Sequence, residues 1–221
     1  MSELQVFSVQ TVLAVFLSLP VFYLLGALCL PRLAKPALSI GVRLALGSLL
    51  VISAAAVARA GIGTGMLFYL LLLGLFLVKN PKRWDYSDLK ELPIFEWVGL
   101  MLVFVVLFLM EGIRTDLVSG TDVYVGNADV SFYGAYGHQL FIQGIETYPE
   151  NLSPEVNGMI YHFGDLWFSG FYSNAFSILP YYAYNVVYRT LSVFTILIIM
   201  YGWVSTFSKG RYLAIPVALL G

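Results

Sequence analysis

Five runs of apolar residues, each long enough to cross a lipid bilayer as a helix, dominate the sequence. A spanning helix needs about 20 mostly apolar residues, and the runs cover residues 7–30, 39–57, 62–78, 94–110 and 184–207. The chain is 59% hydrophobic and 11% charged, whereas soluble domains carry about 25% charged residues. A soluble fold this apolar could not cover its own surface. The sequence therefore predicts an all-α polytopic membrane protein whose partner is the lipid bilayer.

A sixth apolar run begins near Tyr212 and reaches the last residue, Gly221. It is too short to cross a bilayer as a helix. We expect the chain to be the N-terminal part of a longer protein, the alternative being that this sixth run does not span.

Lys and Arg residues predict which connections face the cytoplasm, because cytoplasmic loops carry an excess of both. The bases concentrate in residues 31–38, 79–93 and 208–211. Residues 111–161 hold seven acids and a single base, Arg114. The orientation rule therefore predicts that the long connection 111–183 is extracytoplasmic. Arg43 and Glu96, near the starts of their runs, are expected to extend to the cytoplasmic interface.

The apolar segment 163–179 is short and contains Asp165, Ser169, Ser173 and Asn174. If it crossed the membrane, Lys209 and the bases near it would fall outside. We therefore interpret it as an interfacial helix, which Pro180 ends before the next span. Within the same connection, apolar residues of 127–144 recur at helical spacing, with Asn127 or Asp129 as the N-cap. Gly137 adds no apolar area to that face.

Charge and cysteine content exclude several classes of function. The net charge is −1, so no global field favours nucleic acid, and we expect no nucleic-acid partner. Cys29 is the single cysteine, which excludes an intramolecular disulfide and a multi-cysteine metal site. The spans carry almost no ionisable residues near their middles, where transporters often place them. This distribution disfavours a transporter or channel component.

The second half of the chain has a distinctive order of elements: a span, 94–110, a long acidic loop, 111–183, and a further span, 184–207. The loop contains the stretches Asp129-Val-Ser-Phe-Tyr133, Gln139-Leu-Phe-Ile-Gln-Gly144 and Ile160-Tyr-His-Phe-Gly164. This order resembles the GT-C superfamily of polytopic membrane glycosyltransferases, in particular the protein-mannosyltransferase-like members of bacteria and archaea. The first two stretches are similar to the family pattern of an acid, an aromatic residue and a helix ending in glycine, and the third is similar to aromatic-rich motifs of microbial members.

This resemblance divides the chain into two regions. Residues 1–93 form an N-terminal addition with three helices and a cytoplasmic loop, and residues 94–221 form the start of a GT-C-like core. It implies a glycosyltransferase of the bacterial or archaeal plasma membrane. Such an enzyme takes a sugar from a polyprenyl-phosphate-linked donor on the extracytoplasmic face.

Asp129 is the catalytic candidate that the resemblance implies. An equivalent acid in the resembling enzymes accepts a proton from the acceptor or orients it, and a partly desolvated carboxylate suits general-base catalysis. The alternative is that Asp129 only caps its helix. Asp122 and Asp116 can join it in holding a divalent cation such as Mg²⁺ or Mn²⁺, since hard cations prefer oxygen ligands. Solvated loop acids are the alternative for these two residues.

Arg189 and His162 are the candidates for binding the donor phosphate. Arg189 lies about one turn into the run 184–207, at the end nearest the acidic loop. A charge inside a spanning helix usually has a partner, and guanidinium groups bind phosphate well. Snorkelling to the interface is the alternative for Arg189, and interfacial packing is the alternative for His162. For the whole chain, the competing hypothesis is a non-catalytic subunit that docks other membrane subunits through the outer loop.

Overall fold

The structure, a computed structural model, describes residues 8–59, 85–119, 133–134, 137–138, 141–142 and 163–207. Within these ranges the chain forms the helices α1 (Val9–Cys29), α2 (Pro36–Arg59), α3 (Ser87–Glu91), α4 (Ile94–Ser119), α5 (Phe163–Ala175) and α6 (Pro180–Phe207). Residues 133, 134, 137, 138, 141 and 142 are also helical, and we call them the loop helix. The described part of the chain contains helices and turns but no strand.

Four of the helices are long and apolar enough to cross a membrane: Val9–Cys29, Pro36–Ala56, Ile94–Thr115 and Pro180–Phe207. They confirm the predicted all-α, multi-pass membrane fold and the runs 7–30, 39–57, 94–110 and 184–207. Many of their large apolar side chains are exposed, including Leu17, Val98, Leu102 and Ile196. Such a surface suits contact with lipid, because in a bilayer an apolar side chain needs no burial in protein. The predicted run 62–78 and the run from Tyr212 lie outside the described residues.

Helix α4 continues past the predicted end of its apolar run at Met110 and stays helical to Ser119. Glu111, Arg114 and Asp116 therefore lie on a helix and not at the start of a loop. The prediction was wrong at this boundary because apolarity marks the part of a helix that suits hydrocarbon. Polar residues with adequate helix propensity can extend the same helix beyond it.

Helix α5 has 13 residues, too few to cross a bilayer, which agrees with the prediction that this segment does not span. Its interfacial location stays a prediction. The helix ends at Ala175, and Ser177 in the following turn has a positive φ of 54°. Pro180 was predicted to end this helix, but it occupies the first turn of α6. Proline suits that position, since its missing N–H is not needed there and its φ is already helical.

Helix α6 contains a π-helical segment, Ala183–Tyr188, before it continues as a regular α-helix from Arg189. In a π-helix the hydrogen bonds join residues five apart, and such segments occur frequently at functional sites. Because α6 begins at Pro180, Arg189 lies more than two turns inside the helix, deeper than the single turn predicted.

The chain divides into two compact units, and the boundary cuts through the long helices. One unit, here called the loop unit, contains the described residues 8–14, 52–59, 110–119, the loop helix and 163–189. The other, here called the Arg43 unit, contains the described residues 15–51, 85–109 and 190–207.

Glycines bring the helices of the Arg43 unit together. A Cβ atom placed on Gly26 of α1 would overlap the backbone carbonyl of Arg43, and one on Gly47 of α2 would overlap the carbonyl of Phe22. Small residues allow such close backbone approach in membrane helices. Phe104 of α4 packs on Phe194 of α6 with ring centroids 4.7 Å apart. These contacts place the core of the unit between α1, α2, α4 and α6.

Candidate functional site

Arg189 is the predicted site residue whose side chain the structure describes. Asp129, Asp122 and His162 lie outside the described residues, so their predicted roles stay predictions. The backbone of Asp116 is helical, as part of α4, but its side chain is outside the described part. Among the described residues, no group of three or more His, Cys, Asp or Glu side chains could hold a metal ion.

Arg189 forms an ion pair with Glu111 of α4. The Arg189 Nη1 atom lies 3.9 Å from Glu111 Oε2, and the two side chains are 28% and 18% exposed. Arg114 Nη1 lies 3.9 Å from the same oxygen. Both distances exceed that of a hydrogen bond, so the attraction is electrostatic and consumes none of the guanidinium donors. Arg189 therefore has an acidic partner, as expected for a charge in a spanning helix. That partner is Glu111, which the sequence showed only as one of the seven acids of residues 111–161.

A buried carboxylate, Asp165, lies in the first turn of α5. Its Oδ2 accepts a hydrogen bond of 3.0 Å from the hydroxyl of Tyr184, and its Oδ1 accepts one of 2.9 Å from the backbone N–H of Leu166. An acid in the first turn also interacts favourably with the helix dipole. The bond to Tyr184 ties α5 to the π-helical part of α6.

Tyr184 is the residue of the π-helical segment that contacts the neighbouring helices of the loop unit. Its hydroxyl donates to Asp165 of α5. Tyr184 also stacks on Tyr133 of the loop helix, with ring centroids 5.9 Å apart. The loop helix, α5 and α6 thus meet at one tyrosine.

The loop helix packs closely on α5 through a pair of glycines. A Cβ on Gly170 would overlap the Gly137 carbonyl, and one on Gly137 would lie 2.6 Å from the Leu166 carbonyl oxygen. Phe141 then packs edge-on against Trp167, with ring centroids 6.2 Å apart. Gly137, which adds nothing to the apolar face of its helix, is therefore the residue that lets the two backbones meet.

A histidine and a serine also contact each other across the interface between the loop helix and α5. His138 Nδ1 lies 3.0 Å from Ser173 Oγ, and Ser173 donates its hydroxyl hydrogen to the Ile178 carbonyl at 2.9 Å. The same ring nitrogen lies 3.4 Å from Asn174 Nδ2. His138 thus contacts two polar side chains of α5, and the Ser173 hydroxyl fixes the end of that helix through its bond to Ile178.

The Arg43 unit contains a second polar cluster that the sequence did not reveal. Arg43 Nη1 lies 2.8 Å from Asp88 Oδ2, 2.8 Å from the Asp85 carbonyl oxygen and 3.0 Å from the Tyr23 hydroxyl, and shares its two hydrogens among these acceptors. Tyr23 in turn donates a hydrogen bond to Asp88. The side chains of Arg43 and Asp88 are fully buried. This cluster joins α1, α2 and α3.

Burial of Arg43 contradicts the prediction that it extends to the cytoplasmic interface. Glu96, for which the same was predicted, is also buried, at 5% exposure. Snorkelling keeps a charged head group in water while its stem lies along apolar surface. Here α3 supplies the Asp88 carboxylate, and a charge paired inside the protein avoids the cost of an unpaired charge in apolar surroundings.

The residues that precede α3 form a tight polar turn beside this cluster. Asp85 Oδ1 accepts a 2.9 Å hydrogen bond from the Ser87 backbone N–H. Hydrogen bonds from the Ser87 side chain and backbone hold the pKa of the Asp85 carboxyl below its usual value. Burial raises the pKa of the neighbouring Tyr86 hydroxyl. Arg32 reaches the same segment, donating to Ser87 Oγ at 2.8 Å.

Comparison with known proteins adds no relative from which a role could be transferred. No family model, no curated protein and no solved structure matches the chain.

Proposed function

We propose that the chain is a membrane glycosyltransferase, or the N-terminal part of one, that uses a polyprenyl-phosphate-linked sugar on the extracytoplasmic face. The proposal rests on the location, exposure and ion pair of Arg189. Its guanidinium lies inside a helix long enough to span a membrane, remains 28% exposed and faces a carboxylate at 3.9 Å. Within the described residues, this ion pair uses none of the hydrogen-bond donors of the guanidinium, which suits the binding of an anion.

A lipid-linked phosphate is the anion that suits this position. The guanidinium fork presents donors in a planar arrangement that matches phosphate oxygens. A free nucleotide would approach from water, whereas the phosphate of a polyprenyl lipid is held at the membrane by its own chain. The buried Asp165–Tyr184 hydrogen bond holds α5 against the segment of α6 that precedes Arg189. His162, predicted at the start of the interfacial segment, is the second candidate for binding the same phosphate.

In the proposed reaction, an acceptor hydroxyl oxygen attacks the anomeric carbon of the donor. The bond between that carbon and the phosphate oxygen breaks, and polyprenyl phosphate leaves with the electron pair. Asp129 accepts the proton of the acceptor hydroxyl. Arg189 stabilises the negative charge that develops on the leaving phosphate, as a positioned cation does in other phosphate-releasing reactions. Asp122 and Asp116 are the candidates for a divalent cation at this site.

Binding of a short-chain polyprenyl phosphate to the purified full chain tests the proposal. Arg189→Gln should weaken binding by about 10- to 100-fold, the effect of losing about 1.4–2.7 kcal/mol, and Arg189→Lys should recover part of it. Arg114→Gln is the matched control, because Arg114 faces the same Glu111 oxygen at 3.9 Å but is 57% exposed. Equal effects of the Arg114 and Arg189 changes would argue against a phosphate site at Arg189.

Release of polyprenyl phosphate from a panel of polyprenyl-phosphate-linked hexoses tests catalysis separately. Asp129→Asn should abolish release while leaving the thermal unfolding temperature and phosphate binding unchanged. If the wild-type chain binds polyprenyl phosphate but releases none with any donor, the proposal that these 221 residues are themselves a glycosyltransferase fails. The alternative, a non-catalytic subunit docking through the loop, is then favoured.

A further inference from the structure

The Arg43 unit contains an apolar cavity, open on one side, that no step of the proposed reaction uses. Its volume is about 370 Å³, and residues of α1, α2, α4 and α6, together with the segment before and within α3, line it. Leu19, Pro20, Leu24, Leu44, Met101 and Ile198 form most of the aliphatic wall. The volume falls in the range of about 300–1,000 Å³ that is typical of small-molecule sites.

Three lining side chains carry a hydrogen-bond donor: Tyr23, Tyr86 and Trp97. Tyr23 donates its hydroxyl to Asp88, and Trp97 donates its indole N–H to the Leu89 carbonyl at 3.0 Å. A buried water needs two to four polar partners, and the Tyr86 hydroxyl supplies at most one. Water is therefore a poor occupant, and so is a sugar or a nucleotide, whose polar groups would lose their hydrogen bonds.

Some of the side chains that line the cavity are also exposed on the surface of the spanning helices. Leu24 of α1 is 44% exposed and Met101 of α4 is 37% exposed, and both line the cavity. Lipid surrounds this surface when the helices cross a membrane, so hydrocarbon is the medium next to the cavity. Pro20, whose missing N–H removes one hydrogen bond of α1, forms part of the same wall.

From these contacts we propose that the cavity binds one acyl chain of a bilayer phospholipid. An acyl chain matches the aliphatic lining, reaches it directly from the bilayer and requires no hydrogen bond from Tyr23 or Trp97. The Arg43–Asp88 pair contributes by holding Tyr23 in place, so that the hydroxyl faces Asp88 while the ring serves as an apolar wall. This site does not depend on the proposed glycosyltransferase activity.

Photolabelling of the full chain in phosphatidylglycerol vesicles tests this inference. The probe is a phospholipid with a diazirine in its second acyl chain, and mass spectrometry of peptides locates the label. Labelling should concentrate on the cavity-lining residues of α1 and α4. Leu24→Trp and Met101→Trp place an indole at the edge of the cavity and should reduce that labelling about tenfold, equivalent to about 1.4 kcal/mol.

Leu17→Trp and Leu102→Trp are the matched controls on the same two helices. Both leucines are exposed, at 51% and 63%, and neither lines the cavity. These controls should leave labelling of the lining residues unchanged. Folding of each variant is judged by elution as a single species. If Leu24→Trp does not fold, Leu24→Phe, which adds a smaller ring, replaces it. Labelling that is absent from the lining residues, or equal in the cavity and control variants, overturns the proposal and indicates that another segment of the chain fills the space.

Discussion

Arg43 donates a 2.8 Å hydrogen bond to Asp88, and both side chains are completely buried. The two residues come from α2 and α3, so the bond attaches a short connecting helix to a spanning one. Each charge has lost its hydration, and each depends on the other for compensation. Removal of either partner therefore leaves an uncompensated charge in the protein interior, a more severe change than the loss of one hydrogen bond.

Arg43→Ala or Asp88→Ala should each lower the free energy of unfolding by about 3–5 kcal/mol, measured by denaturant titration in detergent micelles. Arg32→Ala is the control, because Arg32 pairs with Glu91 while their side chains are 27% and 47% exposed. An exposed pair is worth about 1 kcal/mol or less. If the Arg32 and Arg43 variants lose similar free energies of unfolding, the buried Arg43–Asp88 pair matters no more to stability than an exposed pair does.

The glycine contacts between α1 and α2 lead to a second prediction. Gly26→Ala and Gly47→Ala each place a Cβ against the backbone of the facing helix, and should lower the free energy of unfolding by about 1–3 kcal/mol, as overpacking does. Gly99→Ala in α4 is the control, since no heavy atom of the described residues lies within 4 Å of its added Cβ. That change should be neutral or stabilise by up to about 1 kcal/mol, because alanine favours the helix. Equal destabilisation by all three changes would show that close approach is not the cause.

A third prediction concerns the contact of the loop helix with α5. Gly170→Ala should separate the two helices, because its Cβ would overlap the Gly137 carbonyl, whereas a Cβ on Gly164 of the same helix meets none of the described atoms within 4 Å. Hydrogen exchange of α5 backbone amides should rise in the Gly170 variant and stay unchanged in Gly164→Ala. Unchanged exchange in both variants would mean that this contact does not protect α5.

The spanning helices and the polar cluster at Arg43 differ in how far a single sequence reveals them. The helices were predictable because a bilayer demands about 20 apolar residues in succession, a signal that is local. The burial of Arg43 was not, because Asp88 lies far along the sequence and only the folded chain brings the two together. The end of α4 at Ser119 was not predicted, because a helix can continue beyond the last apolar residue of its run.

The candidate site was predictable only in part, for similar reasons. Gly137 has no side chain to contribute to an apolar face. Its role is to let the backbone of Gly170 approach closely, which the sequence pattern does not show. Asp165 was visible as an acid in an apolar segment, but its partner Tyr184 lies in another helix, and only the folded chain brings the two together. The roles of Asp129, Asp122 and His162 stay predictions.

The turn before α3 leads to a prediction about acid sensitivity. The pKa of Asp85 is lowered in the folded state from its ordinary 3.8 by hydrogen bonds from Ser87. The ionised carboxylate therefore stabilises the fold above pH 3.8, and this contribution is lost as the pH falls through the lowered pKa. Ser87→Ala removes the side-chain bond, so the pKa of Asp85, followed by NMR, should rise towards 3.8. An unchanged pKa in this variant would assign the shift to another group.

The bond between Asp165 and Tyr184 leads to the last prediction. Tyr184→Phe removes one hydrogen bond and should lower the free energy of unfolding by about 0.5–1.5 kcal/mol. Asp165→Ala should lower it by more, because it leaves both the buried Tyr184 hydroxyl and the Leu166 N–H without their acceptor. Asp165→Asn keeps an oxygen acceptor for one of them and should fall between wild type and Asp165→Ala. If Tyr184→Phe also weakens polyprenyl phosphate binding, while Arg114→Gln does not, the tyrosine positions Arg189 through the π-helical turn as well as stabilising the fold. If Tyr184→Phe lowers stability alone, the Asp165–Tyr184 bond serves only to join α5 to α6.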